Sequence, residues 1–252
     1  MDELRAFHNT DYQVGKFKIH NPTLGEIADS IGEYEFWYMV QSVTATRYDC
    51  RLYLWSIGID FDTIHWWQMV CQRVKDKVLP DCRAIMPDIN FQSFIPCIDK
   101  ETQEMVLFNP ITEIKITEQE FSELQVYWRT TLNLAPKDIR NANEHTRKWR
   151  LEHELEKLKR RERLGITEEF HSVLKNYISA LINCEGFKYN WHTVWDLPIN
   201  VFIDSLRRLQ MIKQSDNLLK GIYSGNVSYK DLRHKEELDW LREIKPITTK
   251  TN

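Results

Sequence analysis

From residue 147 to residue 163 the chain reads Arg-Lys-Trp-Arg-Leu-Glu-His-Glu-Leu-Glu-Lys-Leu-Lys-Arg-Arg-Glu-Arg. Trp149, Leu151, Leu155 and Leu158 are its whole apolar content, and they fall on a thin helical stripe. A helix with so narrow a stripe cannot occupy the middle of a core. It is solvated, or it waits for a partner. The stretch therefore divides the chain into an N-terminal helical region (1–135), a charged connecting helix (136–164, opened by Pro136) and a C-terminal helical region (165–252). Its charges are mixed. Glu152 and Glu156 repel at i, i+4, Glu154 has Leu158 where a cation would help, and Glu156 is placed to pair with Arg160.

On either side of the connector the pattern is helical. Only 8 Gly and 8 Pro stand against 9 Trp, 10 Tyr and 11 Phe, which suits long helices packed through bulky anchors. Phe17 and Ile19 alternate with lysines as in a short strand. Thr23 and Glu26 have capping-box spacing for a short helix ended by Gly32, and Thr117 with Glu120 repeats that spacing. Phe36, Trp37, Met39, Val40 and Val43 mark a second helix, and Thr46 with Asp49 offers a cap for the helix that follows. Leu52, Tyr53, Trp55 and Ile57 line a third, and residues 63–78 a fourth. Residues 91–95, 105–108 and 113–116 are strand-like, the first two separated by a turn at 99–102. The helix after Thr117 carries Phe121, Leu124, Val126 and Trp128.

Past the connector, Thr167 is placed to cap a helix bearing Phe170, Val173, Leu174, Tyr177, Ile178, Leu181 and Ile182. A helix from Pro198 runs toward Gly225, and Ser228 with Asp231 precedes a final short helix holding Leu238 and Leu241. The expected fold is mainly α with a small antiparallel β hairpin or meander, an α+β protein of two helical regions joined by a charged helix.

Several chemistries find no support. The net charge of −3 does not suit a strongly basic nucleic-acid binder. No apolar run approaches the roughly 20 residues of a membrane span, and the start lacks a signal peptide, so the cytoplasm is the expected compartment. The five cysteines (Cys50, Cys71, Cys82, Cys97, Cys184) lack C-x-x-C spacing and read as reduced thiols. Asp60-Phe61-Asp62 could be an acidic metal pair, but aspartates ahead of a helix are ordinary N-terminal stabilisers. Glu168 with His171, and Asp231 with His234, each put a carboxylate and an imidazole on one helical face, without the further glutamates of a di-iron bundle. No zincin, nucleophile-elbow, Walker or dinucleotide motif is present. No catalytic residue, cofactor or metal is expected.

The aromatic pairs are more informative. Trp66 and Trp67 are consecutive, so on a helix they diverge by about 100° and one turns from the main core. It meets another element or a partner, for which Trp is a favoured anchor. Trp66, Trp67, Trp149, Leu151, Leu155 and Leu158 are the candidate partner-binding residues.

Four groups of residues resemble proteins of the tail-gene region of phages and prophages of Gram-positive bacteria. They are Ile19-His20-Asn21-Pro22-Thr23-Leu24-Gly25-Glu26-Ile27 with Ile31-Gly32-Glu33; residues 54–61; the 147–163 helix; and residues 187–190 with 217–225 and 237–240. The resemblance implies a noncatalytic tail-assembly chaperone that holds a long helical tail protein, such as the tape-measure protein, before the tube polymerises. A minor structural protein of the tail or neck, resident in the virion, is the second reading. A nucleic-acid-binding module using Arg147, Lys148, Arg150, Lys157, Lys159, Arg160, Arg161 and Arg163 is the third. Self-association is a further partner class; neither membrane nor, under the lead reading, nucleic acid is expected.

Overall fold

A computed structural model describes residues 3–8, 11–136, 143–165 and 169–244. As expected, the protein is mainly α with small antiparallel sheets of two and three strands. After α1 (Glu3–His8), β1 (Asp11–Val14) and β2 (Phe17–His20) form a hairpin in which Val14 pairs with Phe17. Gly15 takes a φ of 55° at the turn, a conformation that side-chain-bearing residues resist. The alternation in β2 sends Phe17 and Ile19 inward and Lys18 outward. The partner strand β1 was not foreseen; its Tyr12 stacks on Tyr127 of α6 (Glu118–Thr131) with ring centres 5.2 Å apart.

Both capping boxes form. Thr23 accepts from Glu26 N at 3.1 Å while the Glu26 carboxylate takes Thr23 N at 2.7 Å, opening α2 (Leu24–Glu26). Thr117 and Glu120 do the same for α6. A π-helical turn continues α2 to Ile31, and α3 (Glu33–Thr44) buries Phe36, Met39, Val40 and Val43. The C-terminal carbonyls of α3, which have no partner within a helix, are taken by three side chains from elsewhere. Arg73 donates to Ser42 O (3.0 Å), Gln125 to Val43 O (2.8 Å) and Arg129 to Thr44 O (2.6 Å).

Thr46 and Asp49 bond reciprocally ahead of α4 (Arg51–Ser56), whose one fully buried side chain is Leu54 rather than the expected row. α5 (Trp66–Lys75) is shorter than expected and begins behind His65. Phe91–Ser93 is a 3-10 turn, not a strand, because the Asn90 side chain accepts from Gln92 N and curls the backbone. The sheet then runs β3 (Ile95–Ile98), β4 (Met105–Phe108), β5 (Lys115–Ile116) in that order, all antiparallel. On α6 the inward residues are Phe121, Leu124, Tyr127 and Trp128; Val126 is exposed, and Asn21 donates to the Tyr127 hydroxyl at 2.6 Å.

Beyond the connector α7 (Glu144–Arg163) come α8 (Val173–Ile182) and the long α9 (Ile199–Tyr223). Thr167 lies outside the described residues; the hydroxyl that accepts from the first turn of α8 is Ser172, at 2.9 Å from Lys175 N. α9 enters beside the segment around Thr23: Leu24 N donates to Leu197 O and Ile199 N to Pro22 O, both at 2.9 Å. One buried cluster includes Phe17, Phe36, Trp128, Ile178 and Phe202. The final segment forms two 3-10 turns, at 229–231 and 235–238, in place of a short helix. It folds back along α9, where Arg208 donates to the carbonyls of Trp240 and Arg242 and Ser215 to that of Leu238. Leu241 is exposed there.

Candidate functional site

The connector is docked on its inward face. Leu151 is 2% exposed, and α7 lies against α4. The Arg51 guanidinium sits over the Tyr48 ring and reaches Glu154 at 2.8 Å. Arg147 binds Asp60 at 3.1 Å and Asp62 still more closely, over the face of Phe61. Asp60 and Asp62 therefore do not cap α5; their charge is met by a guanidinium 87 and 85 positions away. The carboxylates, Asp62 first, hold the Arg147 pKa above its ordinary value.

The candidate partner-binding residues separate into two groups. Trp67 is a core residue whose Nε1 donates to Met105 O at 2.8 Å, and Trp66 is half-buried; both rings pack on Phe121. Leu151 is buried and Leu155 half-buried. Trp149 (59% exposed) and Leu158 (43%) remain outside, and Trp149 stacks on His153 with the rings 7° from parallel. Glu156 and Arg160, expected to pair, form no ion pair among the described residues.

A broader exposed surface lies where α3 meets α8. The Glu33 carboxylate accepts from Val173 N and Leu174 N, each at 2.9 Å, and from the Ser172 hydroxyl. A carboxylate suits the unpaired N–H groups of a helix start. This contact fixes which side of α8 turns inward: Leu174, Ile178 and Leu181 are buried, while Val173 and Tyr177 face out. Beside them the Phe170 ring meets Tyr34 edge-on at 5.6 Å, and Tyr34 stacks on Tyr38 at 6.2 Å. Tyr34, Tyr38 and Phe170 thus form a ring-to-ring patch between α3 and the segment leading into α8, and with Val173 and Tyr177 on the outer face of α8 they make a largely aromatic surface, each residue between 36% and 56% exposed. Its signal in the sequence was the width of the α8 pattern: seven apolar positions make two rows where one buried face uses a single row.

A cavity of about 230 Å³ opens between α1, the end of α6 and α9, lined in part by Ala6, Phe7, Asn200, Ile203, Asp204 and Arg207. Asn200 donates to Ala6 O at 3.0 Å, and burial raises the Asp204 pKa. Among the described residues no group of three or more His, Cys, Asp or Glu side chains could hold a metal ion. His234 lies 3.3 Å from Glu236; Glu168, the companion expected for His171, is outside the described residues. No helix among the described residues is long and apolar enough to cross a membrane.

Residues 167–245 match the family model of the YomV second domain. That family is phage-derived, and the match is consistent with a phage protein. It covers α8, α9 and the returning turns, and so one half of the aromatic surface; the α3 half lies outside it. No curated protein and no solved structure matches the chain.

Proposed function

We propose that the chain is a noncatalytic tail-assembly chaperone of a phage, which binds and shields the apolar stripe of a long helical tail protein such as the tape-measure protein. The observation that carries the reading is the aromatic surface of Tyr34, Tyr38, Phe170, Val173 and Tyr177. An amphipathic client helix docks by burying its apolar face in such a surface, and aromatic residues dominate the energetics of docking because they offer large area at small entropic cost. The phage-derived family of residues 167–245 and the resemblance of the tail-gene segments supply the biological setting.

The test is co-expression of the chain with the tape-measure protein, followed by affinity capture. Tyr34→Ser with Phe170→Ser removes two partly exposed rings from the surface. An anchor of this kind is worth roughly 2 kcal/mol at an interface, so affinity falls about thirtyfold for either substitution alone and about 700-fold for the pair if the two add. Circular dichroism establishes that the variant is folded. Undiminished capture by the folded variant overturns the reading. Finding the protein in purified virions at fixed stoichiometry would move it from chaperone to structural component.

A further inference from the structure

The charges of α7 are used unevenly along its length. In the proximal half, Arg147 is held by Asp60 and Asp62, Glu154 by Arg51, and Lys148 lies 4.0 Å from Glu152. From Glu156 onward every described side chain of the helix is exposed. Over residues 157–163 five cations, Lys157, Lys159, Arg160, Arg161 and Arg163, stand against Glu162 alone, a local charge of +4 on a chain whose net charge is −3. Neither Lys157 nor Lys159 forms an ion pair among the described residues. Basic residues in a last helical turn are accounted for by the helix dipole, but that effect fades within the turn, and Lys157 and Lys159 precede it.

Leu158 gives this charge a direction. It lies on the same face as Leu151, two turns on, yet is 43% exposed. Its neighbours Lys157 and Lys159 stand about 100° to either side of it, while Arg160 points about 200° away. An exposed leucine flanked by unpaired lysines has the form of half an interface whose other half carries an apolar residue flanked by carboxylates. We infer that this distal face of α7 docks an acidic amphipathic helix of a protein partner, with Leu158 taking the apolar contact and Lys157 and Lys159 the acidic flanks. The inference names the charge of the client proposed above, and rests on that reading for the client being helical. Nucleic acid is the less suitable polyanion: phosphates have no use for Leu158, and Glu156 and Glu162 interrupt the cationic run.

The probe is a fluorescein-labelled, stapled helical peptide of about 20 residues with leucine at i, i+4, i+7 and glutamates beside them, titrated against the full chain by fluorescence anisotropy. A labelled single-stranded oligonucleotide and a labelled duplex are run in parallel at the same salt. The acidic peptide binds more tightly than either nucleic acid. Lys157→Glu with Lys159→Glu weakens the peptide about tenfold or more, Leu158→Ser weakens it severalfold, and Arg160→Glu, on the opposite side, changes it by less than about twofold. Nucleic acid bound as tightly as the peptide overturns the inference, as does equal weakening by Arg160→Glu and the lysine pair, or indifference to Leu158→Ser. Absence of peptide binding by a chain that still captures the tape-measure protein through Tyr34 and Phe170 overturns the inference and leaves the proposed function standing. Loss of that capture removes the proposed function and with it the helical client on which the inference rests.

Discussion

Leu151→Ala isolates what holds the connector in place. Among the contacts that dock α7 are the buried leucine, the Arg51–Glu154 pair and the Arg147 contacts with Asp60 and Asp62. Glu154 and the two aspartates are 36–53% exposed as side chains, so solvent screens their attraction, and the Arg51–Glu154 pair is worth about 0.2–1 kcal/mol. Leu151 is 2% exposed, and truncating a core leucine costs about 2–5 kcal/mol. The lower end applies, about 2–3 kcal/mol, because a surface helix can settle into part of the space. Helical stability in proteins comes mostly from packing of the apolar stripe rather than from propensity, so α7 frays when it leaves the body. The variant should raise the opening equilibrium of α7 by roughly 30- to 150-fold, since about 1.4 kcal/mol is a factor of ten. Hydrogen exchange followed by mass spectrometry reads this directly in peptides from 144–163, with α6 peptides as the internal reference. Faster exchange in α7 with α6 unchanged is the expected outcome. Equal acceleration in both helices would show that Leu151 belongs to the global core, and no change in α7 would show that the ion pairs alone hold it; either result refutes the reasoning.

Thr23→Ala and Thr117→Ala each remove one side of a capping box and should each lower stability by about 1 kcal/mol in urea unfolding. Burial pushes the Cys71 thiol up to about 12 from an ordinary value of 9.0, so its contribution is fully present below pH 9 and is lost as pH rises toward 12. Stability over that window should fall by at most about 1.4 kcal/mol per pH unit from this group, and Cys71→Ala should flatten the dependence in urea melts at pH 8 and 10. On α8, Leu174→Ala should cost about 2–4 kcal/mol while Tyr177→Ser stays within about 1 kcal/mol, measured by thermal and urea unfolding; comparable losses would place both in the core.

What could be read from the sequence was what closes within a few residues. Thr23 with Glu26, Thr46 with Asp49 and Thr117 with Glu120 each satisfy one another across three positions, and each forms as spaced. β2 was visible because two inward residues alternate with lysine and histidine; β1 was not, because its burial touches Val14 alone and its order comes from pairing with β2. The strand expected at 91–95 failed locally: Phe91 and Phe94 are both fully buried at a separation of three, which a strand would send to opposite faces and a 3-10 turn keeps on one side, and the Asn90 side chain holds that turn.

The docking surfaces depended on partners too distant for spacing to reveal. Asp60 and Asp62 looked like caps until a guanidinium 85 or more positions away reached them, and that same contact commits one face of α7 to the body. Adjacent tryptophans at 66 and 67 diverge as helical geometry requires, yet Phe121 spreads its neighbourhood wide enough to meet both rings, so divergence did not produce a free anchor. The exposed face of α8 is the reverse case. Leu174 and Tyr177 belong to the same apolar pattern, and hydropathy alone assigns both to the core. Glu33, 140 positions before Val173, fixes the start of α8 by taking two of its free N–H groups. With that end pinned beside α3, the rotation of the helix puts Leu174 inside and leaves Tyr177 outside, where an aromatic ring costs solvation unless something covers it.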